Sequence, residues 1–423
     1  MRRLVWFALA MGIAALARAQ PLPAVAPEAA GFSAEGLARI DAFWAREIQA
    51  NRVPGAVVAI ARDGKLVHHK AYGFLDKAAG TPMPADAIFQ LASMTKIMVS
   101  VGALVLNEQG RLPLASPLAD YFPAFAKMNV GVVGAGGGDI TLQPARPIRI
   151  HDLMRHTSGL TYGSRGDTPL HKLYPAGSAA AAAAYSGDEF IAKLASLPLL
   201  HQPGTVWDYS FSVDVLGLVV EKVSGQRLND FLRDNIWRKL GMADTYFEVP
   251  ADKRARIARP LPTDPLTGKP QRIGSLETKN KFDCGGGCAF GTMGDYLRFG
   301  QMLVDGGALD GQRVLGAKTV AWMTSDHLGP AIRNQVAAIE PHREGYGFGL
   351  GVAVRLHDGV AATPGSTGDF TWNGANGTQF WADPRERLVV VVGTAAPGEI
   401  RKLYREQMGD LVYGAMTELR RAR

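Results

Sequence analysis

Ser93-Met94-Thr95-Lys96 places a hydroxyl and an amine one helical turn apart. Residues i and i+3 share a helix face, with Cβ atoms roughly 5–6 Å apart. A serine at the mouth of a helix with a lysine on the next turn can be a nucleophile with its base. The positive potential of the helix N-terminus favours the developing alkoxide. Ser93 is the only serine in the chain with a lysine three residues later. Alone, the pair reads first as a capping serine and a solvated lysine. A working pair needs a second proton carrier and an oxyanion hole. Tyr209 is the candidate carrier, in Gln202-Pro203-Gly204-Thr205-Val206-Trp207-Asp208-Tyr209-Ser210, a turn leading into a helix. A nearby ammonium favours phenolate, so Tyr209 can pass a proton from Ser93 to a leaving group. The plainer reading is a half-buried tyrosine on a core edge. No Gly-x-Ser-x-Gly occurs, so a nucleophile-elbow hydrolase lacks its signature.

The elements around Ser93 must hold it. Ile88 to Ala92 is a largely apolar approach, and Ile97, Val101, Leu104 and Val105 recur at helical spacing until Gly110. Upstream, Ser33 opens an amphipathic helix to about Gln49, and Ala56–Ala61 and Leu66–His69 flank Asp63-Gly64, a hairpin signal. Residues 100–280 read as helices and long loops. They include a glycine-rich excursion from Gly131 to Gly138, an alanine run from Ala179 to Ala184 and a capping box at Ser186-Gly187-Asp188-Glu189. Asp214 to Val223 predicts a further helix. Strands return at Gly347–Val354, Thr378–Trp381 and Leu388–Gly393, and Ile400 to Arg420 predicts a closing helix. There are no internal repeats. The expected fold is α+β: one antiparallel sheet flanked by the N- and C-terminal helices, with a mostly helical domain inserted. In residue terms the α/β part is about 30–100 and 280–423, and the helical part about 100–280.

Charged residues are 20% and the hydrophobic set 47%, ordinary globular composition. Arg2 and Arg3 precede an apolar run from Leu4 to Leu16, and Ala17-Arg18-Ala19 ends in small residues, so residues 1–19 read as a secretory signal. The run is too short for a membrane span. Cleavage after Ala19 removes three arginines and no acid, leaving about +4 of the original +7. That balance argues for no nucleic-acid partner, and the Arg420-Arg421-Ala422-Arg423 tail reads as a solvated helix end. The expected location is periplasmic or secreted. Cys284 and Cys288, the only cysteines, flank Gly285-Gly286-Gly287. In an exported protein the pair reads first as a disulfide, with two free thiols as the alternative. Two thiols with no nearby histidine do not suggest a metal site.

Four stretches together resemble the serine β-lactamase and penicillin-binding superfamily, especially class C β-lactamases and the related family VIII carboxylesterases. They are Ser93-Met94-Thr95-Lys96, the loop Leu153 to Leu160 containing His156-Thr157-Ser158-Gly159, Tyr209-Ser210 with Asp214-Val215-Leu216-Gly217, and Trp372-Asn373-Gly374-Ala375. The resemblance runs in order from about residue 28 to the C-terminus. It implies that Ser93 is the acylated nucleophile, that Lys96 helps remove its proton and that Tyr209 is general base and acid. It further implies an oxyanion hole from the N–H groups of Ser93 and Ala375, a substrate wall at Trp372, Asn373 and Gly374, and no metal or organic cofactor. His156 reads as part of a structural loop.

This chain departs from the lactamase pattern in two places. The third motif normally carries Lys or His, then Thr or Ser, and here has Trp372 and Asn373. Trp supplies an apolar wall and one N–H donor without charge. The tyrosine motif also lacks its asparagine, with Phe211 in that position. Both changes disfavour anionic lactams and leave neutral esters unaffected, so the leading expectation is a secreted serine carboxylesterase with a small-molecule ester substrate. A β-lactamase or D-amino-acid peptidase would need a cation from elsewhere, such as Arg155. A non-catalytic cell-wall binding or sensing relative is the third reading, disfavoured by intact Ser93, Lys96 and Tyr209. No oligomeric state follows from the sequence.

Overall fold

The computed structural model describes residues 21–134, 138–276 and 279–420. The expected signal at 1–19, residues 135–137 of the glycine-rich stretch and the last three residues of the basic tail lie outside them. Ser33 caps α1 (Ala34–Gln49) by accepting the Gly36 N–H at 2.8 Å, and Leu37, Ile40, Phe43 and Trp44 form its buried stripe. Asp63 and Gly64 both adopt positive φ, 53° and 71°. A tight two-residue hairpin requires this pairing, so β1 (Gly55–Arg62) folds back on β2 (Lys65–Asp76).

The same sheet contains β3 (Thr81–Pro82), β4 (Tyr346–Phe348), β5 (Ala353–Arg355), β6 (Phe370–Asn373), β7 (Gln379–Asp383) and β8 (Leu388–Thr394). Its order is β4-β5-β6-β7-β8-β1-β2-β3, with every neighbouring pair antiparallel. The N- and C-terminal segments meet at β1 and β8, in register from Ala56 opposite Thr394 to Arg62 opposite Leu388. Both strands are buried throughout, and the two-residue period of a strand divides their side chains between two cores. Val57, Ala59, Ala61, Val389 and Val391 join one core; Ala56, Val58, Ile60, Val390 and Val392 join the other.

α2 (Thr95–Glu108) is buried from Thr95 to Leu106 and packs against α3 (Ser212–Ser224) within the helical part. α4 (Met293–Val304) lies across β1 and β8 on that side, while α1 and α5 (Ile400–Tyr413) pack together on the opposite face. The expected α+β architecture is the one observed: an antiparallel sheet covered on one face by the N- and C-terminal helices, with helices on its other face. No helix among the described residues is long and apolar enough to cross a membrane.

Local expectations held where capping chemistry was explicit. Ser186 and Glu189 form the capping box of the helix Gly187–Ala195, and Gly225 ends α3 in the left-handed conformation. Three others are corrected. Gly347–Val354 is two short strands, β4 and β5, because Gly349 and Gly351 turn the chain between them. Gly351 has φ 95° and presses so close to α2 that a Cβ would meet Ser100 Oγ at 2.3 Å. The closing helix stops at Tyr413, short of Arg420. The middle segment also holds an unexpected hairpin, Asn129–Val133 with Ile140–Pro144. It is a mostly exposed ribbon with little apolar alternation to signal it, and Gly131 packs where a Cβ would lie 2.4 Å from Leu170.

Candidate active site

Ser93 lies in a single 3-10 turn, Ala92–Met94, leading into α2, whose N-cap is Met94, so the plainer reading of a capping serine does not apply. Ala92 has φ 47°, a conformation uncommon for a residue with a Cβ, and it turns the chain sharply out of the strand Ile88–Gln90. The bend is held on several sides. Leu91 N–H donates to the Ala289 carbonyl at 2.8 Å, and Thr95 Oγ1 donates to the Ala92 carbonyl at 2.7 Å. The Tyr296 hydroxyl donates to the Met94 carbonyl at 2.8 Å. Ser93 is thereby left half-buried in the wall of a cavity of about 650 Å³, while its neighbours are buried.

Lys96 points to the same place from the first turn of α2. It is 1% exposed, with Nζ 3.5 Å from Ser93 Oγ and hydrogen-bonded to the Gly286 carbonyl. The amine also lies 4.5 Å from the centroid of the Tyr209 ring and 5.6 Å from that of Tyr162. Tyr209 is presented by the segment between Pro203 and α3, wedged among aromatic rings. The His156 centroid is 4.7 Å away, Trp372 5.1 Å and Tyr162 5.6 Å. The Trp372 indole N–H donates to the Tyr209 hydroxyl at 3.3 Å. The tryptophan expected as a wall therefore also spends its one donor on the phenol.

β6 carries Trp372 and Asn373 to the cavity, and the turn after it brings Ala375 to the same wall as Ser93. The turn is tied to the Ser93 segment. Thr378 Oγ1 donates to the Leu91 carbonyl at 2.9 Å, Gly374 N–H donates to the Thr378 carbonyl at 2.8 Å, and Asn376 Nδ2 bonds to Gln90 Oε1. A Cβ on Gly374 would lie 2.0 Å from Thr378 Oγ1 and 2.4 Å from the Leu91 carbonyl oxygen, so only glycine allows this approach.

The third-motif wall is less devoid of charge than the sequence suggests. The Arg343 guanidinium lies 4.3 Å from the centroid of the Trp372 ring, and Arg343 and Arg405 both pair with buried Glu340. Asn373 Nδ2 donates to the same carboxylate at 2.8 Å. Burial alone would raise the pKa of Glu340, but Arg343 and Arg405 outweigh it and hold the carboxyl at about 2. His342, 3.2 Å from Glu340, is pushed down to about 4 by burial and is neutral near pH 7. That contact is a hydrogen bond to a carboxylate, not an ion pair. Arg155, proposed as a replacement cation, is committed elsewhere: to Asp152, Thr157 Oγ1 and the His327 carbonyl.

His156 is buried, with φ 55°, and its Nδ1 accepts the Ser210 N–H at 3.3 Å. Burial first, and then the nearby Lys96, lowers its pKa well below the usual histidine value, so it packs as a neutral ring behind Tyr209. This agrees with its reading as a structural loop residue. Phe211, standing where an asparagine is usual, packs against Tyr162 and Phe190 with centroids 4.4 and 5.2 Å away. Cys284 and Cys288 are bonded to each other, and Gly286 and Gly287 between them line the cavity.

Sequence reasoning missed the role of Asp214 at this site. Its carboxyl is fully buried in the first turn of α3. It accepts the Gly286 N–H at 2.9 Å, the Ser178 hydroxyl at 2.9 Å and the Tyr162 hydroxyl at 3.2 Å. Burial raises its pKa, opposed by Lys96 and these three donors. The available signal was a carboxylate in the apolar run from Val213 to Val220, a position acids rarely occupy without partners.

The Beta-lactamase family model matches residues 38–411. Protein Rv1367c of Mycobacterium tuberculosis is 34% identical over 360 residues, covering 82% of this chain and 87% of that protein. Esterase EstB of Burkholderia gladioli is 30% identical over 388 residues, covering 87% and 93%. Among solved structures, EstCE1, a hydrolase with promiscuous acyltransferase activity, superposes with a TM-score of 0.73 at 26% identity, covering 90% of this chain and 99% of that one. With its α+β fold and its Ser-x-x-Lys turn, this chain belongs to the Beta-lactamase family, within the superfamily of serine β-lactamases and penicillin-binding proteins.

Proposed function

We propose that this protein hydrolyses carboxylic esters through an acyl-enzyme on Ser93. The observation that carries the reading is Lys96 Nζ, which reaches Ser93 Oγ while anchored on Gly286 and lying over Tyr209, in a cavity walled by Trp372. Tyr209, with the Lys96 amine beside it, takes the Ser93 proton as Oγ bonds to the ester carbonyl carbon. The N–H groups of Ser93 and Ala375 receive the oxyanion, each donor contributing roughly 2.7–4 kcal/mol to the transition state. Tyr209 passes the proton to the departing alkoxide as the carbon–oxygen bond breaks. Water then attacks the acyl group, losing its proton to the same relay and regenerating Ser93. Esterase EstB, similar along nearly its whole length, supports an ester as the substrate class.

The export reading belongs to the same proposal. It rests on the basic, apolar and small-residue order of positions 2–19 and on a disulfide that suits an oxidising compartment. Fractionation of the producing cells tests it: mature protein recovered only from the cytoplasm would refute it.

A second reading has one specific observation behind it. Arg343 and Arg405 line the cavity beside the position where lactamases carry a cation, so a β-lactamase or D-amino-acid peptidase has a positive group available. One experiment separates the readings. Mature protein and Ser93→Ala are assayed with p-nitrophenyl butyrate, nitrocefin and muropeptides. The esterase reading expects ester turnover that falls at least ~10³-fold in the variant. Rapid nitrocefin turnover with poor ester turnover would favour the second reading, and muropeptide binding without any turnover a non-catalytic role.

A further inference from the structure

Lys96 is anchored by a peptide that two other devices fix in place. The Gly286 carbonyl accepts from Lys96 Nζ, and the N–H of the same residue donates to Asp214 Oδ1 at 2.9 Å. Gly286 therefore links the buried carboxyl of α3 to the amine of α2. The next carbonyl, of Gly287, accepts from Gln90 Nε2 at 2.7 Å, which ties the loop to the strand before Ser93.

The loop is closed on itself by the Cys284–Cys288 disulfide, whose Cα atoms are 5.3 Å apart, and by Gly287 and Cys288 N–H groups donating to the Cys284 carbonyl at 3.2 Å. None of its three glycines is among those with positive φ, so the turn does not need them for backbone freedom. Contact is the reason for them. A Cβ on Gly285 would lie 2.5 Å from the Val213 carbonyl oxygen, and one on Gly286 would lie 2.1 Å from Asp214 Oδ2 and 2.4 Å from Ser178 Oγ. The loop is pressed onto the start of α3 as closely as backbone can approach. Both half-cystines are fully buried, so the cross-link is an internal part of the site wall.

We infer that the disulfide-closed Cys284–Cys288 loop and Asp214 are positioning elements for Lys96, acting through the Gly286 peptide; this rests on Ser93 being the acylated residue. A lysine with four rotatable bonds keeps its amine at Ser93 Oγ only if its other N–H groups have fixed acceptors. The Gly286 carbonyl is that acceptor, and a five-residue ring pinned at one end by sulfur and in the middle by a carboxyl keeps it still. Freeing either pin lets the carbonyl and the amine it holds move, and alters the surroundings of the Asp214 carboxyl, whose pKa burial raises.

The test compares wild-type protein with Cys284→Ser/Cys288→Ser, Asp214→Asn and Ile40→Ala, the last a core truncation on the opposite face of the sheet. Readouts are the rate of Ser93 labelling by a fluorophosphonate probe, kcat and KM for p-nitrophenyl butyrate across pH, and Tm. The inference expects labelling and kcat to fall roughly 10- to 100-fold in the double variant and in Asp214→Asn, with KM within about 2-fold of wild type. It also expects the acidic limb of the pH profile to move in those variants and stay put in Ile40→Ala. Wild-type labelling and an unmoved limb in the folded double variant would overturn it, as would equal losses in Ile40→Ala. If the double variant does not fold, Asp214→Asn decides on the same criteria. A wild-type protein that is not labelled at Ser93 would defeat the esterase reading, and this inference with it.

Discussion

Trp372 shows how one substitution in a motif acts twice. Its ring replaces a cation with an apolar wall, and its indole N–H donates to Tyr209 at 3.3 Å, orienting the phenol proposed as the proton carrier. Trp372→Phe keeps most of the wall and removes the donor. A neutral hydrogen bond contributes about 0.5–1.5 kcal/mol, so kcat for p-nitrophenyl butyrate should fall roughly 3- to 10-fold with little change in KM. A rise in KM at constant kcat would assign Trp372 to substrate binding alone. The tryptophan was legible in the sequence as a wall with a single donor. Its use on Tyr209 was not, because 163 residues separate the two and only the packing of β6 against the helical part joins them.

At the scale of elements, the site is the seam between three segments: the Ser93 turn, the start of α3 and the turn after β6. Gly374 controls how closely the last approaches the first. Gly374→Ala forces a Cβ against Thr378 Oγ1 and the Leu91 carbonyl, moving Ala375 away from Ser93. Displacements of about 1 Å in such sites cost on the order of 10²-fold in rate, which steady-state kinetics on the folded variant would reveal. Thr378→Val keeps the shape but removes the bond to Leu91, and should cost about 10-fold or less. An equal loss in the two variants would show that the hydrogen bond, and not the spacing, sets the geometry. The elements themselves were largely readable: Ser33, Asp63-Gly64, the Ser186 box and Gly225 mark boundaries through capping and turn chemistry. The β4–β5 turn and the ribbon of Asn129–Val133 with Ile140–Pro144 were missed because tertiary contact, with Ser100 and Leu170, makes glycine necessary there.

For the whole molecule, the sheet joins two cores, and a buried charge cluster sits beside the cavity where α5 meets β6. Glu340 carries its carboxyl at about 2, below its ordinary value of 4.5, held there by Arg343 and Arg405 against burial. A depressed carboxyl stabilises the fold above its unfolded pKa, and that stabilisation is lost as protons bind to the folded form. The contribution is therefore complete above about pH 4.5 and disappears as pH falls from there towards 2. Urea unfolding of wild type across that interval should show the decline, and Glu340→Gln should be less stable at pH 7 and flatter on acidification. Removing one partner of a buried ion pair typically costs about 3–5 kcal/mol. An unchanged slope in the variant would assign the acid sensitivity to other carboxylates.

The sequence by itself determined the local chemistry. Ser93 and Lys96 stand three residues apart where a helix begins, Tyr209 and Trp372 stand out by type and context, and short apolar runs beside Asp63-Gly64 mark the strands of a hairpin. Those are short-range rules, and a single chain displays them. The tertiary structure alone decided which distant groups complete the site. Asp214 and Gly286 become partners of Lys96 only when α2, α3 and the cystine loop converge, and Arg343 comes to lie over Trp372 only once Glu340 is buried beneath β6. The reason is that such contacts obey no sequence spacing. They follow from burial, where each polar group taken from water must find whichever partner the fold places within reach.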